Sequence, residues 1–275
     1  MDEVASAFVP GHVTGFFTVD RDPDPTKAGS TGAGVTLTDG VTVEVEYAES
    51  SSLLLNGQPV EMGAVDRVLD ALSVHATVRA ETDLPVGAGF GVSGAVALGT
   101  ALAANALYGS DLSENELVTV AHGAEVQAGT GLGDVVAQAR GGMPIRLEPG
   151  GPHHGVMDGI PARGRVEYVS FGELDTTAVI EGDTDALDRA GEESRSLVVR
   201  KPNVEQFMYA SRRFAREAGL LPDSVAEAVA AVGEAGGEAA MAMLGESVFA
   251  LGRGLTEAGY DPAVCEVDVG GATLL

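Results

Sequence analysis

The sequence contains few of the residues that form disulfides and positive surfaces. Its single cysteine, Cys265, cannot form a disulfide within the chain, which is typical of a protein of the reducing cytoplasm. Only two of its 16 basic residues are lysines, Lys27 and Lys201, and 41 acidic residues give it a net charge of −25. Because nucleic acids and anionic membranes are bound through positive patches, both are excluded as partners.

Long apolar stretches are also missing from the sequence. No run of 18 apolar residues is present, and Met1-Asp2-Glu3 lacks the basic flank and apolar segment of a signal peptide. We therefore expect a cytoplasmic protein. The acidic excess has two interpretations: adaptation to concentrated salt, where charge repulsion is screened within about 3 Å at 1 M, which we favour, and an ordinary acidic cytoplasmic protein.

The hydrophobic content predicts a folded chain of mixed secondary structure. With 275 residues, 45% of them hydrophobic, the chain can bury a large core in one or two domains. Hydrophobic periodicity indicates strands and helices without strict alternation, which favours an α+β fold. The predicted strands are residues 4–9, 41–47, 76–81, 166–171, 248–251 and 264–269. The predicted helices are residues 64–72, 93–108, 113–127, 203–218 and 224–235.

A stretch rich in glycine and proline, residues 141–164, interrupts these patterns. We place a domain boundary there, with an N-terminal domain over residues 1–155 and a C-terminal domain over residues 156–275. The stretch contains His153 and His154, but adjacent side chains of an extended loop point apart and no further ligand has a suitable spacing. We expect these two histidines to lie in a solvated turn.

A glycine-rich loop lies between a predicted strand and an apolar helix, and it reads Pro85-Val86-Gly87-Ala88-Gly89-Phe90-Gly91-Val92-Ser93-Gly94-Ala95. Alternate glycines let the backbone approach a ligand closely, and the free N–H groups at a helix start attract an anion. The loop is therefore a predicted phosphate site. It is not a P-loop, since no lysine follows the glycines.

A dinucleotide site is an alternative, because the loop also satisfies the pattern G-x-G-x-x-G. In that fold an acidic residue ends a second strand about twenty positions further on. Asp111 has this distance, but it lies in a predicted turn between two helices. The missing strand argues against a dinucleotide-dependent oxidoreductase.

The loop resembles the central motif of the GHMP kinases, Pro-x-x-x-Gly-Leu-Gly-Ser-Ser-Ala, at Pro85, Gly89, Gly91, Ser93 and Ala95. The resemblance implies the two-domain GHMP kinase fold, with an N-terminal domain like domain 2 of ribosomal protein S5 and a ferredoxin-like C-terminal domain. It also implies ATP and Mg²⁺ as cofactors. The residues that it assigns to the nucleotide are Pro85, Gly87, Gly89, Gly91, Val92, Ser93, Gly94 and Ala95.

Two carboxylates follow the loop at positions that suit phosphoryl transfer. Glu125 lies on the helix that a Ser113/Glu116 capping box begins, and Asp134 ends a second glycine-rich segment. Transfer to an alcohol needs a carboxylate for the metal and a group that accepts or orients the hydroxyl proton. The resemblance assigns Ser93 and Glu125 to Mg²⁺ and Asp134 to the hydroxyl, so that Ser93, Glu125 and Asp134 are the expected catalytic residues.

Within the GHMP kinases, the chain is most similar to the archaeal pantoate kinase family. The similarity rests on residues 10–17, 29–34, 85–95 and 121–146. It implies transfer of phosphate from ATP to the 4-hydroxyl of (R)-pantoate, giving 4-phosphopantoate for coenzyme A biosynthesis, and it implies a homodimer. Pantoate is a small carboxylate, so its pocket needs a fixed cation. The expected substrate residues are Ser30, His122 and Arg146, whereas His12 and Thr14 receive no role beyond support of the substrate loop.

The third GHMP motif is only partly present. Where the family has a glycine- and proline-containing turn, residues 241–251 retain Gly245 followed by an apolar strand. We expect Met241, Leu244 and Phe249 to belong to the core. Two functions remain open beside pantoate phosphorylation: a GHMP kinase for another small alcohol such as mevalonate, shikimate or homoserine, and a nucleotide-binding module without catalytic activity.

Overall fold

A computed structural model describes residues 3–173, 179 and 182–275, and it contains two β-sheets with helices packed against them. The strands of the first sheet are β1 (Val4–Phe17), β2 (Gly32–Tyr47), β3 (Ser52–Leu55), β4 (Gln58–Pro59), β5 (Ala76–Glu81), β6 (Met143–Glu148), β7 (Val156–Ile160) and β12 (Thr273–Leu274). The strands of the second sheet are β8 (Arg165–Glu173), β9 (Ala239–Ala242), β10 (Gly245–Leu251) and β11 (Ala263–Glu266).

The helices alternate irregularly with these strands, as expected for an α+β fold. They are α1 (Gly63–Leu72), α2 (Val92–Tyr108), α3 (Glu114–Ala128), α4 (Asp134–Arg140), α5 (Asp185–Arg200), α6 (Val204–Glu217), α7 (Asp223–Glu234) and α8 (Gly254–Glu257). Among the described residues, no helix is both long and apolar enough to cross a membrane.

The first sheet has the strand order β12-β1-β2-β5-β3-β4, and the β6–β7 hairpin pairs with the other end of β2. Along β2 the side chains of Val41, Val43 and Val45 are fully buried while Glu44 is exposed, because alternate residues of a strand face opposite sides. Helix α2 covers the buried side of β1 and β2. It is apolar on nearly all sides because α1 and α3 pack over it.

The second sheet has the order β11-β8-β10-β9, and all of its pairs are antiparallel. Helix α6 packs against both β1 and β9, so one hydrophobic core extends from the first sheet to the second. Phe16 and Phe17 of β1 contact Phe207 and Phe214 of α6, with ring centroids 6.3 and 5.6 Å apart. This packing fixes the end of β1 against the second sheet.

Most of the elements predicted from periodicity are present, and the differences have local causes. The glycine- and proline-rich stretch at residues 141–164 contains the β6–β7 hairpin, whose backbone pairs with β2 despite its weak pattern. The strand predicted at residues 264–269 ends at Glu266, because Asp268 turns the chain by accepting hydrogen bonds from the N–H groups of Gly270 and Gly271. Helix α5 was not predicted. The domain boundary near residue 155 remains a prediction.

Candidate active site

The glycine-rich loop connects β5 to α2 and has the backbone conformation that its sequence predicts. Gly89 and Gly91 have φ angles of +87° and +66°, which side chains larger than hydrogen rarely adopt. A Cβ atom on Gly89 would also lie 2.9 Å from the carbonyl oxygen of Met243. Gly91 is the N-cap of α2 and offers no side chain to the first N–H groups of the helix. The loop therefore presents backbone donors at a helix N-terminus, as a phosphate site requires.

Ser93 and Glu125 contact each other beside this loop. The hydroxyl of Ser93 donates to Oε2 of Glu125 at 3.0 Å, and the hydroxyl of Thr130 donates to Oε1 at 2.8 Å. Glu125 is 1% exposed. Burial raises the pKa of Glu125 to about 7, although the hydrogen bonds from Thr130 and Ser93 oppose the shift. A cation beside Glu125 would favour its ionised form.

Asp134 begins α4 and pairs with His12 of β1. Their Oδ1 and Nδ1 atoms are 2.7 Å apart, and the imidazole is fully buried while Asp134 is 27% exposed. Burial lowers the pKa of His12. Burial alone would raise the pKa of Asp134, but the hydrogen bond from His12 and the nearby charge of Arg146 lower it below its usual range. Asp134 is thus an ionised acceptor that the hydrogen bond from His12 holds in place.

Two of the three predicted substrate residues, Ser30 and Arg146, meet at Gly133. A Cβ atom on Gly133 would lie 2.5 Å from Oγ of Ser30 and 2.6 Å from Nε of Arg146. Arg146 is 2% exposed, and its Nε and Nη1 atoms have no hydrogen-bond partner among the described residues. Burial lowers its pKa, while the charge of Asp134 opposes this effect. A buried cation with free donors is suited to an anionic ligand.

His122, the third predicted substrate residue, lies deeper than the other two. Its Nε2 atom donates to the carbonyl oxygen of Ala28 at 2.8 Å, and its ring is buried. Ala28 is two residues before Ser30, so His122 supports the segment that carries Ser30. Burial, together with the charge of Arg146, lowers the pKa of His122. Direct contact between His122 and substrate remains a prediction.

A single cleft of about 370 Å³ brings most of the predicted residues together. The predicted residues that line it are Ser30, Gly87, Gly89, Gly91, Val92, Ser93, Glu125, Asp134 and Arg146. Pro85, Gly94, Ala95 and His122 are not among its described lining residues. His153 and His154 lie in an exposed turn outside this cleft.

Sequence reasoning assigned no role to Thr130 and Gln138, and it gave His12 none beyond support of the substrate loop. His12 holds Asp134, Thr130 binds Glu125, and Gln138 donates from Nε2 to the carbonyl oxygen of Gly91 at 2.8 Å. A histidine in an otherwise apolar strand is a signal for His12. Thr130 and Gln138 carry no comparable signal, because polar residues near helix ends commonly face solvent.

The partly matched third motif, residues 241–251, packs against the glycine-rich loop. The hydroxyl of Ser247 donates to the carbonyl oxygen of Ala88 at 2.8 Å, and Gly245 packs directly on the same carbonyl. Met241 and Phe249 are buried, as predicted. Leu244 was predicted to belong to the core, and it is partly buried and packs against the core from the β9–β10 turn, where it also lines the cleft.

Comparison with known proteins agrees with this geometry. Residues 60–142 match the family model of the GHMP kinases N terminal domain. The chain is 35% identical over 258 residues to the pantoate kinase of Methanospirillum hungatei and 35% identical over 263 residues to that of Thermococcus kodakarensis. Each alignment covers 90% of this chain and 87% of the relative.

A solved structure extends the similarity over nearly the whole chain. It is described as a phosphotransferase related to the coenzyme A biosynthesis pathway, with 30% identity and a TM-score of 0.88. The match covers 99% of this chain and 98% of the other. The fold is that of a GHMP kinase. At this identity and coverage, the chain belongs to the pantoate kinase family.

Proposed function

We propose that this protein transfers the γ-phosphoryl group of ATP to the 4-hydroxyl of (R)-pantoate, giving 4-phosphopantoate and ADP. One observation carries the chemical class of the acceptor: Arg146 is buried in the cleft near Asp134, and two of its donor nitrogens have no hydrogen-bond partner among the described residues. A buried guanidinium is costly unless an anion pairs with it. The acceptor should therefore carry a carboxylate as well as a hydroxyl. Pantoate, mevalonate, shikimate and homoserine all do, and the similarity to the pantoate kinases favours pantoate among them.

Asp134 orients the reacting hydroxyl in this proposal. Its carboxylate accepts the hydrogen bond of the 4-hydroxyl and then its proton, while the hydroxyl oxygen forms the bond to the γ-phosphorus and the bond to ADP breaks. The hydrogen bond from His12 fixes the carboxylate and keeps Oδ2 available. The N–H groups at the start of α2 bind the phosphates in the same account.

The residues beside the loop fit a magnesium ion. A Cβ atom at Gly131 would meet Oε2 of Glu125 and would lie 3.7 Å from Oδ2 of Asp134, so both carboxylates border one small space. The described residues contain no group of three or more His, Cys, Asp or Glu that could bind a metal alone. Magnesium in kinases usually takes one or two carboxylates and completes its shell with phosphates and water. Ser93 and Glu125 would hold the ion, which would neutralise charge on the phosphates.

Release of ADP in molar KCl tests the proposal, with Mg·ATP and equal concentrations of (R)-pantoate, mevalonate, shikimate or homoserine. We expect turnover with pantoate alone. The Asp134→Asn variant, purified in the same way, controls for contaminating kinases. Turnover with another alcohol would show that pantoate is not the acceptor but that the protein is a kinase. ATP binding without any turnover would favour a nucleotide-binding module.

A homodimer and a cytoplasmic location complete the proposal. The dimer rests on the resemblance to the family, and sedimentation velocity at high salt measures it directly. A mass near twice 27.9 kDa is expected. A single species at the monomer mass would contradict it.

A further inference from the structure

Leu244 has an unusual conformation for its residue type. It lies between β9 and β10 with a φ angle of +66°. The other described residues with positive φ, glycines aside, are Asn56, Ser73 and Asp111, which are short and polar. A leucine disfavours this region because its Cβ crowds the backbone, and tight hairpin turns favour asparagine or glycine there. Turn chemistry therefore does not explain the choice of leucine.

Contacts on both sides hold this turn in the cleft. The N–H of Met243 donates to the carbonyl oxygen of Thr14 at 2.9 Å, which joins the turn to β1. On the other side, a Cβ atom on Gly89 would lie 2.9 Å from the carbonyl oxygen of Met243 and 3.1 Å from the nitrogen of Gly245. The backbone of residues 243–245 is thus packed between β1 and the phosphate loop, and Leu244 lines the cleft.

The contact with Thr14 places Leu244 near the acceptor end of the cleft. Thr14 and Phe17 of β1 both line the cleft, and Phe17 pairs in register with Gly32, two residues after Ser30. Glu61, Met62 and Ala64, at the start of α1, line the same cleft. Leu244 therefore lies where the phosphate loop meets the predicted acceptor residues.

We propose that Leu244 is a specificity residue that contacts the dimethyl carbon of the acceptor. This inference rests on the proposed function. Pantoate carries one apolar group, a carbon with two methyls, between its two hydroxyl-bearing carbons. Arg146 and Asp134 account for its carboxylate and its reacting hydroxyl, so the two methyls need an apolar surface. Leu244 supplies that surface together with Leu132 and Phe17, which also line the cleft.

The test compares two acceptors in wild type and in Leu244→Gly. One is (R)-pantoate and the other is 2,4-dihydroxybutanoate of the same configuration, which lacks only the two methyls. One or two buried methyl groups change kcat/KM by roughly 10- to 200-fold. We expect Leu244→Gly to lower kcat/KM for pantoate at least about 10-fold and to change it less than about threefold for the smaller acceptor. Glycine suits the turn, so the Tm should not fall.

Three further variants separate specificity from folding. Leu244→Asn also suits positive φ and should lose the same preference, whereas Leu244→Met should retain most of it. Asp111→Gly relieves an equivalent backbone conformation on an exposed loop outside the cleft, and it should leave the preference unchanged. An active Leu244→Gly or Leu244→Asn enzyme with the wild-type preference would overturn the specificity role of Leu244 and leave the proposed function standing. Absence of pantoate turnover by wild type would overturn the proposed function, and this inference with it.

Discussion

His12 and Asp134 form a buried pair 122 positions apart in the sequence, with Nδ1 and Oδ1 separated by 2.7 Å. The pair joins the long strand β1 to the first residue of α4. Because the ionised carboxylate of Asp134 can only accept, Nδ1 of His12 donates to Oδ1 and leaves Oδ2 for another partner. This arrangement suits a group that must accept a hydrogen bond from an alcohol.

Replacing Asp134 by asparagine should abolish most of the activity without removing the nucleotide. The amide has almost the same shape but cannot accept a proton, so we expect kcat to fall by about 10²- to 10⁴-fold. Isothermal titration with a non-hydrolysable ATP analogue should give a Kd within about threefold of wild type. A parallel loss of nucleotide affinity would argue against a role confined to the hydroxyl.

His12 should act as a positioning residue, and two variants distinguish this from a purely structural role. In His12→Asn the side-chain nitrogen can occupy the place of Nδ1, whereas His12→Leu removes the donor. We expect His12→Leu to lower kcat roughly 10- to 100-fold with an unchanged KM for ATP, and His12→Asn to recover much of that loss. Equal activity of the two folded variants would contradict the assignment.

Replacing Arg146 by methionine should weaken pantoate binding without lowering the stability of the fold. Methionine fills similar space without a buried cation, so the Tm should equal or exceed that of wild type. The KM for pantoate should rise by about 10- to 100-fold, as expected for a lost charged hydrogen bond. The neutral amide of pantoate provides the control acceptor, and its KM should change much less. A similar rise in KM for both acceptors would show that Arg146 does not bind the carboxylate.

The stability contributed by His122 should depend on pH in a defined direction. Burial and the charge of Arg146 lower the pKa of His122 in the folded chain. Below about pH 6.5 the unfolded chain therefore binds a proton at His122 that the folded chain does not bind, which stabilises the unfolded chain. His122→Gln retains a donor for Ala28 but does not titrate. The difference in Tm, wild type minus His122→Gln, should therefore decrease as the pH is lowered from 7.5 to 5.5. A constant difference would show that the pKa of His122 is not lowered.

The sequence predicted those features that depend on local pattern. The capping box at Ser113 is present, with the Ser113 N–H and hydroxyl donating to the Glu116 carboxylate and the Glu116 N–H donating to the hydroxyl. The glycine-rich loop was recognisable because alternate glycines let the backbone approach a ligand closely and the helix that follows offers free N–H groups to an anion. Ser93 and Glu125 lie together as the family motif implies, although their roles remain predictions.

Features that depend on distant segments could not be predicted from pattern. His12 meets Asp134 only because β1 and α4 pack side by side, so its place in an apolar strand marks His12 itself but does not identify its partner. Leu244 was expected in the core because it is apolar, but the β9–β10 turn leaves it only partly buried, at the edge of the core and on the cleft. The β6–β7 hairpin was overlooked since its glycines and prolines are typical of loops.

Identification of the reaction product tests the central claim most directly. The protein would be incubated with (R)-pantoate and Mg·ATP in molar KCl, and the product would be examined by phosphorus–proton correlated NMR. A phosphorus signal coupled to the two protons on C4 is the predicted result. A phosphate coupled to the single proton on C2, or ADP formed without any phosphorylated pantoate, would contradict the account.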